Sequence, residues 1–310
     1  MNVLRMMVAG LVISLAAPAF AATSVSDMFP GLNPVLEYDV ANWDGIGAIP
    51  NTGVRNHGGP FGSQVAGAIF DNVAISEEEA GAPVYVGDDG RPYLRFQQYG
   101  YVTCNDSPAT HENAFRLDVG YTLVGYYRFT EDFYAKEGGA IGMAHKGGWE
   151  NSLLHIGWWG QGRDSITNVT NNSTLLKDDL SNDLPENEWF QLVKTFTPIM
   201  SADATAIESY QVDYYVNGHH VLTNGFDAEE NDTFQWLWAG VGDIGVCRQG
   251  PLGIDPKHQM MGLDYGYFAA YDRPLSAEEV ALSYQYLIIP EPATMTLLAL
   301  GGLAMLRRRR

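Results

Sequence analysis

Hydrolysing a glycosidic bond takes two carboxylates a few ångströms apart, and a strand supplies such a pair from alternate residues, which share a face. The sequence contains neither Glu-x-Asp-x-x-Glu nor Glu-x-Asp-x-Glu. Its acidic clusters, Glu77-Glu78-Glu79 and Glu229-Glu230, lie in polar, loop-like stretches and read as solvated surface. His57, His111, His145, His155, His219, His220 and His258 show no His-Glu-x-x-His or other close metal-ligand spacing. His219 and His220 follow a turn and, being adjacent, point to opposite faces of a strand. A Gly-x-Ser-x-Gly elbow and a phosphate-binding loop are also absent. Paired-carboxylate catalysis is disfavoured, and the expectation is a protein that is not an enzyme.

Two further groups carry chemistry of another kind. Cys104 and Cys247 are the only cysteines; in a disulfide-permissive compartment they could form one bridge, with two buried free thiols as the equal alternative. Two such distant thiols do not make a metal site. Trp158 and Trp159 are adjacent, so on a strand one indole faces the core and the other faces out. An outward indole suits stacking on a sugar ring, with packing under a loop as the alternative.

The compartment follows from the two ends. Arg5, the apolar run Met6 to Ala17 and the small-x-small triplet Ala19-Phe20-Ala21 form a signal peptide over residues 1–21. That run is shorter than the roughly 20 residues of a spanning helix. At the other end stand Pro290-Glu291-Pro292, an apolar segment from Met295 to Leu306, and the basic cluster Arg307, Arg308, Arg309 and Arg310. The arginines would stay on the cytoplasmic side while the apolar segment, read as a hydrophobic sorting helix, sits in the membrane. The prolines hold the Pro-Glu-Pro backbone extended and accessible to a processing enzyme.

This order resembles the PEP-CTERM family of sorting tails. The resemblance implies export in a Gram-negative bacterium that makes exopolysaccharide. It also implies an exosortase-type membrane transpeptidase as partner, passage through the inner membrane during sorting, and delivery to the cell surface or extracellular matrix.

Charge bounds the partners. Five of the 18 basic residues, but only Glu291 of the 37 acidic ones, lie in the two ends, leaving the body with 13 basic and 36 acidic side chains, a formal charge of −23. Such a balance argues against nucleic acid, whose phosphates need clustered Lys and Arg. It serves solubility or, as the sharper reading, calcium binding.

Between the ends, residues 22–289 read as one all-β domain. Tyr121 to Phe129 places Tyr121, Leu123, Tyr127 and Phe129 on one face. Leu153 to Trp158, Trp189 to Phe196, Trp236 to Val241 and Tyr265 to Tyr271 read likewise. Asn217-Gly218 between two strand-like runs predicts a hairpin. Ser276 and Glu279 form a capping box for one short C-terminal helix, with Val280, Ala281, Tyr284 and Leu287 as its apolar stripe. Many strands and almost no helix predict an antiparallel sandwich.

The order of segments is similar to that of a laminin G-like, concanavalin A-like jelly roll over Val35 to Leu287. The likeness rests on Tyr121 to Phe129, Trp189 to Phe196, Tyr215-Val216-Asn217-Gly218, and Gly262 to Phe268 leading into Tyr271-Asp272-Arg273-Pro274-Leu275-Ser276-Ala277-Glu278-Glu279-Val280. Stretches around Ser201 to Ser209 and Arg248 to Gln259 read as insertions. The resemblance implies calcium as the cofactor and Asp264, on the closing strand, as its ligand or as a holder of a loop through hydrogen bonds. It further implies a carbohydrate-binding or adhesion module that takes exopolysaccharide or another glycan. A glycoside hydrolase of this fold and a structural matrix protein stand as alternatives.

Overall fold

The computed structural model describes residues 24–46, 49, 52–53, 84–87, 91–96, 119–130, 185, 187–225 and 262–288 with their side chains, and the backbone of further strands between them. The expected signal peptide and sorting segment lie outside the described residues. In chain order the elements are α1 (Val25–Met28), β1 (Leu36–Asp39), β2 (Ala68–Phe70), β3 (Val84–Val86), β4 (Tyr93–Arg95), β5 (Tyr101–Thr103) and β6 (Phe115–Arg116). The long β7 (Tyr121–Lys136) follows, then β8 (Gly139–Met143), β9 (Ser152–Ile156), β10 (Val169–Thr170), β11 (Ser173–Thr174), β12 (Trp189–Met200) and β13 (Ile207–Val216). The chain continues with β14 (His219–Asp227), β15 (Trp236–Leu237), β16 (Ile244–Gly245), β17 (Gln259–Tyr271) and α2 (Ala277–Ile288).

The expected antiparallel all-β class with one short C-terminal helix is the fold the chain adopts. An 8-stranded sheet runs β14-β13-β12-β7-β17-β4-β3, with β1 also paired to β17, and a 5-stranded sheet runs β2-β5-β16-β8-β9. Every pairing among the described strands of these sheets is antiparallel.

The central strands of the large sheet, β7, β12 and β17, are buried on both faces over most of their described length. The sheet's inner face carries Tyr121, Leu123, Tyr127 and Phe129 from β7, as their alternation requires, packed with Phe190, Leu192 and Phe196 of β12, Tyr210, Val212 and Tyr214 of β13, and Leu263, Tyr265 and Phe268 of β17. The opposite face carries Val124, Tyr126, Val193, Tyr267, Ala269 and Tyr271, covered by Val25 of α1 and by Val280, Tyr286 and Leu287 of α2. Each large apolar side chain so buried contributes about 1.5–3 kcal/mol.

Register along β17 departs from simple alternation. The ladder shifts at Gly262, whose φ is +78°, and again at Gly266, the extra residue between Tyr265 opposite Tyr127 and Tyr267 opposite Tyr126. A one-residue bulge moves every following side chain to the other face. Tyr265 therefore points inward, whereas Tyr267 and Tyr271 join Asp264 on the helix-covered face. The strand-like reading of Tyr265 to Tyr271 is borne out as strand.

β17's other edge is shared end to end: β4 pairs at Asp264 and Tyr265, and β1 pairs at Tyr267 to Ala270. The end of β1 and the start of β4 thus meet beside Gly266.

Local signals hold. Asn217 and Gly218, with φ of +52° and +78°, form the two-residue turn of the β13–β14 hairpin. Ser276 and Glu279 cap α2 reciprocally, at 2.9 and 3.3 Å. The buried stripe of α2 is Val280, Ser283, Tyr286 and Leu287: Val280 and Leu287 are as expected, whereas Ala281 and Tyr284 are only partly covered. Ser283 goes inward because its hydroxyl accepts Gln191 Nε2 at 2.7 Å and donates to the Val280 carbonyl, a role invisible to hydropathy. In the Ser201 to Ser209 stretch, residues 201–206 form the loop that closes the long β12–β13 pair, with Met200 opposite Ile207.

Candidate binding surface on the helix-covered face

Antiparallel register lines up one straight row across four strands. Trp189 of β12 stands opposite Arg128 of β7, Arg128 opposite Asp264 of β17, and Asp264 opposite Arg95 of β4. Asp264 is wholly buried and lies between the two guanidinium groups. Its Oδ1 accepts Arg95 Nε at 2.8 Å; its Oδ2 accepts Arg95 Nη2 at 2.9 Å, Arg128 Nε at 2.8 Å and Arg128 Nη2 at 2.7 Å. Both oxygens are thus given over to charge-assisted hydrogen bonds. Around Asp264, the residue read as a calcium ligand or loop holder, stand two arginines, and its carboxylate ties β17 to β4 and β7 through these hydrogen bonds. Among the described residues no group of three His, Cys, Asp or Glu side chains is placed to hold a metal ion.

Rings enclose the arginines. Arg128 lies 5.0 Å from the ring centroids of both Tyr93 and Trp189, and Arg95 lies 5.6 Å from Tyr93. Tyr93 meets Trp189 edge-on at 5.4 Å, and Tyr126 stacks on Trp189 at 5.0 Å. The bulge residue Gly266 makes room for that stack: a Cβ there would come within 3.2 Å of both rings. The arginine side chains keep solvent-facing surface, 45% for Arg95 and 18% for Arg128.

The next row holds Gln191, Tyr126, Tyr267 and Asp39, in register. Asp39 accepts Arg91 Nη2 at 2.6 Å, the Tyr286 hydroxyl at 2.8 Å and the Ala41 amide at 2.9 Å. Burial pulls the Arg91 guanidinium down, but Asp39 together with Tyr286 and Tyr126 leaves it above its ordinary value. Burial, and then Asp39, push the Tyr286 hydroxyl above the usual tyrosine range, so it stays a donor. Arg91 also lies 5.7 Å from the Tyr286 ring centroid. One row further, Glu37 takes the Val25 amide at 2.9 Å, the Tyr267 hydroxyl at 3.0 Å and the Thr52 hydroxyl at 2.7 Å. Burial raises its carboxyl above the usual range.

Glu37 and Asp39 are alternate residues on one strand, the arrangement a glycosidase would use, in an incomplete Glu-x-Asp that sequence reasoning passed over. They are 0% and 2% exposed, under α1 and α2, with their oxygens engaged as above. Their geometry is that of a structural polar layer.

Of the other expected site residues, Trp158, Trp159, Cys104, Cys247, Pro290, Glu291, Pro292 and Arg307 to Arg310 lie outside the described residues. The strands just before the two cysteines, β5 and β16, are neighbours, with Val102 opposite Ile244. His219 and His220 are exposed; His220 Nε2 lies 2.8 Å from Thr223 Oγ1. Sequence reasoning did not single out Trp189, Arg95, Arg128 or Arg91. Its available signal was the scarcity of basic residues in the body, which makes any gathering of arginines notable.

Residues 289–310 match the family model described as the PEP-CTERM protein-sorting motif. The C-terminus therefore carries the mark of an exported, sorted protein. No curated protein matches this chain. Among solved structures it is similar to the botulinum neurotoxin serotype D ligand-binding domain in complex with N-acetylneuraminic acid, at 14% identity and a TM-score of 0.44, over 83% of this chain and 52% of that one. The receptor-binding domain of botulinum neurotoxin type G matches at 12% identity and a TM-score of 0.39, over 82% and 51%. The chain spans about half the length of these structures.

Proposed function

We propose that this chain is an exported, non-enzymatic carbohydrate-binding or adhesion protein of the cell surface or matrix, and that its ligand meets the helix-covered face along the Trp189–Arg128–Asp264–Arg95 row. The observation that carries this reading is the gathering of Arg91, Arg95 and Arg128 beside the half-buried Trp189, backed by the buried rings of Tyr93 and Tyr126, in a body whose formal charge is −23. Guanidinium groups recognise carboxylates and hydroxyls through planar, multiple donors, and the half-buried Trp189 indole beside Arg128 is the ring that would meet the apolar face of a sugar. A carboxylate-bearing glycan suits this chemistry better than a neutral one.

The tail supports delivery. Met295 to Leu306 would sit in the inner membrane with Arg307 to Arg310 on the cytoplasmic side, transiently, until an exosortase-type transpeptidase acts at the Pro290-Glu291-Pro292 region.

The test is binding of the purified protein to an array of neutral and uronate-bearing glycans, with and without calcium, assaying reducing-end release on every glycan bound. Binding without cleavage, weakened by Arg95→Gln, is expected. Cleavage would make the protein a glycoside hydrolase, and silence on every glycan would leave a structural matrix role.

A further inference from the structure

Helix α2 ends at Ile288, and Pro290 follows two residues later in the chain. The residues just upstream of the sorting motif are therefore the last turn of a docked helix. Tyr286 and Leu287 are 6% and 3% exposed. Both are tied to the sheet from the same point. The Tyr286 hydroxyl donates to Asp39 at the end of β1, Arg91 Nη2 donates to the same carboxylate oxygen, and Arg91 Nη1 reaches the Leu287 carbonyl at 3.5 Å. That carbonyl is one of the last four of the helix, which have no partner within it.

Enzymes that cut a chain through an acyl intermediate commonly take the substrate as an extended strand spanning several residues around the scissile bond. A helix advances about 1.5 Å per residue with its amides turned inward, whereas a strand advances about 3.3 Å with its amides offered outward. Residues 286–288 cannot be both the end of a docked helix and the upstream half of an extended substrate.

We propose that the Asp39–Arg91–Tyr286 clamp controls access to the sorting motif: processing waits on release of the last turn of α2, and the three residues act as positioning residues for it. This rests on the reading that the tail is processed. In that step a peptide C–N bond breaks and the carbonyl carbon bonds to the enzyme's nucleophile. The acyl group then passes to water or an acceptor amine, and the departing nitrogen takes a proton. The clamp takes no part in these bonds; it sets how often the chain is presented.

The test follows tail removal from the full-length precursor, by immunoblot, in membranes of the exopolysaccharide-producing host that contain its exosortase. Four proteins are compared: wild type, Tyr286→Phe, an insertion of six Gly/Ser residues between Ile288 and Ile289, and the insertion combined with Tyr286→Phe. Tyr286→Phe removes one hydrogen bond to a charged acceptor and is expected to speed processing roughly tenfold, with faster amide exchange confined to residues 284–288. The insertion leaves the clamp intact, supplies extended chain, and is expected to process fast whether or not Tyr286→Phe is present. Equal rates in all four proteins would overturn the clamp while leaving processing in place. A tail that persists on the wild type and on all variants would instead overturn the processing reading itself.

Discussion

Asp39 accepts the hydroxyl proton of Tyr286 at 2.8 Å, joining the end of the first strand to the last turn of the last helix. The same carboxylate pairs with Arg91, whose side chain is 20% exposed. Strand β1 therefore does more than extend the sheet: it holds α2 against it. Removing one member of a pair this buried leaves the other charge poorly solvated. Asp39→Ala is expected to lower stability by about 3 kcal/mol, read as a fall in the urea midpoint at unchanged slope. Tyr286→Phe, which keeps the ring packed, is expected to cost about 1–2 kcal/mol.

Asp264 makes a sharper case, because its carboxylate is fully buried and serves two guanidinium groups. Asp264→Ala is expected to cost about 3–5 kcal/mol. Arg95→Ala should cost under about 1 kcal/mol, since Arg95 is 45% exposed and Arg128 remains to neutralise the aspartate. Thermal melts of the two variants check the order. Equal losses would mean that Arg95, not Arg128, is the partner that matters.

Much of this architecture was legible in local sequence. Asn217-Gly218 demands positive φ at two successive residues, and Ser276 with Glu279 spells a helix start, so both were readable without the rest of the chain. The inner face of β7 was readable because alternation is a local property. What escaped reading depends on register between distant strands. Arg95, Arg128 and Asp264 lie in three separate segments, and nothing in any one of them says that they share a row. The Gly266 bulge, which sends Tyr265 and Tyr267 to opposite faces, sits among aromatic residues that alternate equally well with or without it. Ser283 was missed because a hydropathy stripe counts a serine as outward, whereas Gln191 opposite gives it a buried partner.

Gly125 offers a test of inner-face packing. It occupies the one position on the inner face of β7 between Leu123 and Tyr127 that lacks a side chain, and the Tyr127 ring folds back over it. A Cβ at Gly125 would collide with ring atoms and the hydroxyl of Tyr127, so the ring must move. Tyr127 is 0% exposed with Phe190 and Tyr265 against it, which leaves it nowhere to go. Gly125→Ala is expected to destabilise by about 3 kcal/mol or more, at the upper end of overpacking costs. Adding Tyr127→Leu should recover part of that loss, and a double-mutant cycle in urea measures the coupling. Strict additivity would show that the ring is not the obstacle.

Lys194 sets the pH dependence. It lies on the inner face of β12 between Leu192 and Phe196, opposite Leu123 and Tyr214, and is wholly buried. Burial pushes its ammonium down to about 7. The unfolded chain would hold that proton up to about 10.4. Below about 7 the lysine is charged in both states and the burial penalty is complete. Above 7, folding releases a proton that the unfolded chain keeps, so stability rises with pH, by up to about 1.4 kcal/mol per unit. Buried tyrosines with raised values, such as Tyr121 and Tyr267, act in the opposite sense once the unfolded chain's tyrosines ionise, near 10. The clean window is therefore roughly pH 7.5 to 9.5. Urea midpoints measured across it should climb for the wild type. Lys194→Met fills similar volume without a charge, and it should be the more stable protein at pH 7, with a flatter profile. Parallel profiles for the two proteins would show that some other group carries the slope.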